Sequence, residues 1–158
     1  MFYFPPIFEL SIVTLADPGV PNRERVVMRP TEAVDLGQFG MAAGVQQETN
    51  PYLVVPLTNN FFWFPSYVIE PPSWVFLYTG KGTQEITTVS GTSEAAYVFH
   101  WGGEVTIFNF REVVPVLFRQ SGMLIGQNSI DRSIPKQLPL PPVPTPSVLA
   151  GLPRYKPK

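Results

Sequence analysis

The chain of 158 residues contains no cysteine. Disulfides, thiolate metal sites and cysteine nucleophiles are therefore excluded. Histidine is almost absent as well. His100 stands alone, and one histidine without cysteine cannot build an ordinary zinc site within a single subunit. Charge is sparse, at 15% of residues against about 25% in a typical soluble domain. No apolar run approaches the roughly 18 residues of a membrane helix. The opening "MFYFPPIFELSIVTL" is interrupted by Pro5, Pro6 and Glu9 and lacks the basic start of a signal peptide. These absences predict no membrane span and a virion or cytoplasmic location.

The chemistry of an active site is equally thin. A Ser-His-Asp arrangement would require His100 and one of Ser66, Ser73, Ser90, Ser93 or Ser121, yet no nucleophile-elbow pattern surrounds any of them. The twelve acids are scattered singly. That spacing makes no calcium loop and marks no carboxylate pair of the kind a glycosidase needs. The stretch "TGKGT" at 79–83 resembles a phosphate loop only superficially, because the Walker spacing and the following helix are missing. It reads as a turn. The expectation is a non-enzymatic chain without cofactor or metal, with His100 as a half-buried strand residue.

What is abundant is aromatic and proline: 12 Phe, 6 Tyr, 3 Trp and 19 Pro. Prolines leave few windows long enough for a helix, and the segments between them are β-branched or aromatic. Such a pattern predicts an all-β fold, an antiparallel β-sandwich or jelly-roll-like barrel. One short helix could fit near 31–45, capped by Thr31 and weakened by Gly37, Gly40 and Gly44. Two hairpins are expected. One joins "SWVFLYT" to "QEITTV" through Gly80-Lys81-Gly82. The other turns at Gly102-Gly103, pairing Trp101 with Glu104, Phe99 with Thr106 and Tyr97 with Phe108.

This second hairpin would be apolar on both faces, so one face should meet another chain. Phe99, Trp101 and Phe108 are its candidate interface residues. The run Phe61 to Phe64 must point to both sides of a strand, so some of its rings should leave the core, and Phe62 and Phe64 join the candidates. A platform for sugar rings or bases is a further use of such aromatics.

The ends differ from the middle. Residues 1–8 form an aromatic, proline-broken arm, 9–134 the sandwich domain, and 135–158 a proline-rich arm. Eight of the last 24 residues are proline, which favours an extended polyproline conformation that becomes ordered by lying along a surface. Leu149, Leu152 and Tyr155 are its expected anchors. The arm carries Lys136, Arg154, Lys156 and Lys158 and no acid, whereas residues 1–134 hold 7 basic and 12 acidic side chains, a balance of −5. An acidic body argues against direct nucleic-acid binding, and a basic arm suits an acidic neighbour, another copy included. The partners expected are protein subunits. The leading functional reading is a structural subunit of a large assembly, a virus or phage particle first among them, since small β-sandwiches with arms are common there. The second is an accessory subunit, or an adaptor whose "KQLPLPP" (136–142) serves as an SH3-type ligand. The third is a small hydrolase or carbohydrate-binding module.

Overall fold

A computed structural model describes residues 6–122. The first five residues of the N-terminal arm, the boundary at 134, and the whole C-terminal arm with Leu149, Leu152 and Tyr155 lie outside the described residues.

Ten strands account for the fold: β1 (Leu10–Ala16), β2 (Arg25–Pro30), β3 (Val34–Asp35), β4 (Phe39–Gln47), β5 (Asn50–Trp63), β6 (Val68–Ile69), β7 (Ser73–Gly80), β8 (Glu85–Thr88), β9 (Ala95–Gly103) and β10 (Val113–Arg119). They form a five-stranded sheet in the order β1-β2-β7-β9-β8, a three-stranded sheet β10-β4-β5, and a short β3-β6 ladder. The result is a β-sandwich-like fold and not a closed barrel. All neighbours are antiparallel except β7 and β9, which run parallel.

The inner faces follow the two-residue period of a strand. Val26 and Met28 of β2, Val75 and Leu77 of β7, and Phe99 of β9 line one sheet. Phe39, Met41 and Ala43 of β4 line the other. All meet in a single core that also takes in Leu36, Phe64, Ile69 and Phe108.

Residues 31–45 are not a helix. Leu36–Gln38 make one 3-10 turn, where the Asp35 carboxylate accepts from the Gly37 amide, and β4 follows. The cause is visible in the alternation of β4: Phe39, Met41 and Ala43 face inward, while Gly40, Ala42 and Gly44 face outward. Spacing by two buries the large residues on one side, and the glycines would have weakened a helix.

Neither expected hairpin forms. β7 and β8 are not neighbours, because β9 lies between them. The 81–84 connection skips one strand position, a gap of about 9–10 Å that four residues span. It passes over His100 so closely that a Cβ on Gly82 would lie 2.1 Å from the ring. With β7 on one edge and β8 on the other, β9 has no edge free for residues 104–110. The chain turns at Gly102, whose φ of +83° suits glycine, and leaves the sheet.

That departing segment is held by a buried carboxylate. Glu24 is fully buried and accepts from the amides of Gly19 at 2.6 Å, Ile107 at 2.6 Å and Phe108 at 3.2 Å. Its carbonyl accepts from the Thr79 amide at 3.1 Å. One residue thus joins two loops through its side chain, pairs with β7 through its main chain, and carries Phe108 into the core.

Candidate interaction surface

Four consecutive aromatics at the end of β5 alternate. Phe62 and Phe64 turn inward, with ring centroids 5.0 Å apart, and Phe64 lies 5.4 Å from Phe99. Phe61 and Trp63 turn outward, 44% and 55% exposed. Of the residues expected at an interface, Phe64, Phe99 and Phe108 are buried in the chain's own core, between 2% and 4% exposed, and offer a partner no surface. Phe62 and Trp101 are half-buried, packed against that core and against each other at 6.1 Å. The face that Phe99 and Trp101 were expected to present outward is the inner face of the five-stranded sheet.

The outer face of this sheet is also aromatic, but two of its rings are capped. Trp74, Phe76 and Tyr78 alternate along β7 and are half-buried. The Arg29 guanidinium lies 4.4 Å over the Trp74 ring and bonds Glu94, which also accepts from the indole N–H. Arg25 covers Tyr78 at 5.6 Å while bonding Asp17, and the His100 ring stacks on Tyr78 at 5.4 Å. Paired guanidiniums thus cap Trp74 and Tyr78 with their own flat faces. A groove of about 520 Å³ remains between Phe76, Thr87, Val98 and His100. Glu85 is the carboxylate in its lining, so it holds no acid pair. His100 is wedged between Tyr78 and Gly82, and its buried Nδ1 has no hydrogen-bond partner. This is the packing of a strand histidine. Among the described residues no three His, Asp or Glu side chains cluster as a metal site.

The outer face of the three-stranded sheet is different. Its floor is Gly40, Ala42 and Gly44 of β4. Phe118 and Val116 of β10 lean in from one side, and Phe61, Trp63 and Val54 of β5 from the other. A Cβ at Gly40 would lie 2.2 Å from the Phe118 ring, and one at Gly44 2.4 Å from Val54. Glycine is required because the flanking side chains occupy that space. Phe118 crosses the notch and meets Trp63 at 5.1 Å and 89°, and Phe61 at 6.1 Å and 73°. Phe118, standing steeply to the other two rings, makes an apolar trough with them, and no cation covers it among the described residues.

The edges of this sheet are poor templates for strand addition. Pro115 lies within β10 and Pro56 within β5, and proline lacks the N–H that a further strand would need. Sequence reasoning saw that some of Phe61–Phe64 must point outward, but it missed Phe118. The signal was the small-residue alternation at 40, 42 and 44, which marks a floor over which larger neighbours fold.

No helix among the described residues is long and apolar enough to cross a membrane. No protein-family model, curated protein or solved structure matches the chain.

Proposed function

We infer that the chain is a non-enzymatic structural subunit of a large protein assembly, with a virus or phage particle as the leading setting. The observation that carries this is the contrast between two outer sheet faces. On one, the chain's own arginines cap Trp74 and Tyr78, and the other exposes Phe61 and Trp63 beside Phe118 over a glycine floor. Large exposed aromatics grouped on a blunt-edged sheet favour a protein partner. The proline-rich sequence from Pro135, with its four cations and no acid, supports the same reading, since arms add contact area without enlarging a core. The particle itself is inferred from the general use of small β-sandwiches with arms as building units.

The test is to purify the full chain and measure its mass across a concentration series by sedimentation and native mass spectrometry. A parallel search looks for it at fixed stoichiometry in particles from its source. Self-association, or fixed stoichiometry in a particle, is expected. A chain that stays monomeric and enters no complex would refute the reading.

A further inference from the structure

We propose that the aromatic trough of the three-stranded sheet is the receptor for the proline-rich segment of a second copy, with Pro144 and Pro146 on the Phe61–Trp63–Phe118 rings and Arg154 to Lys158 at the opposite end of the sheet. This rests on the assembly reading above and names the partner of its surface.

Three observations converge. The first is chemical. Proline-rich segments in the polyproline conformation are bound by aromatic-lined grooves, because a preformed helix loses little entropy and its rings pack flat on aromatic faces. The trough supplies such rings, two of them about half exposed. The chain itself contains the complementary segment, "PVPTPSVLAGLPRYKPK" from Pro142 to Lys158.

The second is charge. At the end of the sheet away from the rings, Glu48 lies in the β4–β5 turn. Glu112 precedes β10, its carbonyl accepting from the Gln46 amide at 2.8 Å. Both are exposed, and neither has an ion pair among the described residues. Arg111 precedes Glu112 in the chain, so these three side chains sum to one negative charge. The segment opens with Pro142, Pro144 and Pro146 and closes with Arg154, Lys156 and Lys158, among which Pro153 and Pro157 also lie. Laid antiparallel to β10, prolines meet rings and cations meet carboxylates together.

The third is length. From Phe118 back to Glu112 is six strand residues, roughly 20 Å at about 3.3 Å each. From Pro146 to Arg154 is eight residues, which reach roughly 25 Å if extended at about 3.1 Å each. The segment is therefore long enough to span from the rings to the carboxylates. Val148, Leu149 and Leu152 then lie over Val116 and Val114, the apolar middle of the face.

The experiment uses the full chain with p-benzoylphenylalanine in place of Phe61. Equal amounts of ¹⁴N- and ¹⁵N-labelled protein are mixed and irradiated, and the cross-linked peptides are identified by mass. Links between light and heavy chains that map to 142–156 are expected. Trp63→Ser should weaken concentration-dependent association at least tenfold with little change in thermal unfolding, and Leu149→Asp with Leu152→Asp should do the same from the other partner. If the chain associates but the links map elsewhere, the trough is not the receptor, although the assembly reading survives. If the links join a chain only to itself, the second-copy occupant is wrong. If there is neither self-association nor a link, this proposal fails, and the assembly reading then rests on the search for the chain in particles.

Discussion

At the scale of single residues, the buried carboxylate that joins two distant loops is one that sequence could not reveal. Glu24 is one of twelve scattered acids, and nothing near it in the chain marks it. Two of its three amide donors lie 83 and 84 residues away, so their contribution appears only when the chain is folded. Glu24→Ala would strand three backbone N–H groups in a buried site, at a cost of about 3 kcal/mol or more. Glu24→Gln keeps one acceptor and should cost less. Urea unfolding of both variants checks the order, and equal loss would mean that the charge, not the acceptor geometry, matters. Glu9 gives a second residue-level expectation. Its own amide, then the Phe8 amide and the Arg119 guanidinium, hold its carboxyl below the usual glutamate range against a smaller opposing effect of burial. A carboxyl lowered on folding adds stability above its unfolded pKa of about 4.3, and that stability disappears as pH falls through the lower folded value. Glu9→Gln should therefore reduce stability near neutral pH and converge with wild type in acid. Chemical denaturation between pH 3 and 7 reads it directly, and a constant difference across that range would contradict it.

At the scale of elements, the strands were legible but their partners were not. Proline spacing and alternating apolar runs mark β2, β7, β9 and β10 plainly, because burial on one face imposes a two-residue period. Pairing depends on what occupies each edge, and no local turn signal reports it. Gly80-Lys81-Gly82 and Gly102-Gly103 both looked like hairpin tips, yet the first crosses over a strand position and the second ends one. The glycine signals were real but served other purposes: Gly82 permits close passage over His100, and Gly102 supplies a positive φ. Gly82→Ala tests the crossing. Its methyl group would overlap an imidazole already backed by Tyr78, so the loop or the ring must move, at roughly 1–3 kcal/mol. Gly91→Ala has open space around its Cβ but a φ of +79°, and loses only through backbone strain of about 1 kcal/mol. Thermal denaturation should rank Gly82→Ala as the worse. The reverse rank would mean that 81–84 does not hold β9 against β8.

At the scale of the molecule, two sheets share one core and differ in what covers their backs. The sequence announced surplus aromatics correctly but assigned them to the wrong side of β9, because inward and outward are decided by the second sheet, and that sheet's composition of small residues resembled a weak helix. The distinction is open to measurement. Phe99 is 2% exposed and packs on Phe62, Phe64 and Tyr67. Phe99→Ala should therefore act as a core deletion, costing about 3–5 kcal/mol of stability, and should weaken association only through loss of the fold. Phe61→Ser with Trp63→Ser removes comparable apolar surface from the open trough. Since those rings are already about half in water, their loss should cost the isolated fold much less than the Phe99 deletion, while association falls steeply if either ring is a hot spot. Every buried core residue among the described residues lies between Leu10 and Val113. A chain cut after Ile134 should for the same reason keep its cooperative unfolding transition while losing the arm that carries Leu149, Leu152 and Tyr155. Calorimetry and sedimentation on that truncated chain separate the two properties. A lowered unfolding temperature with association intact would reverse the assignment, making the arm part of the core's support and leaving the trough to meet its partner without it.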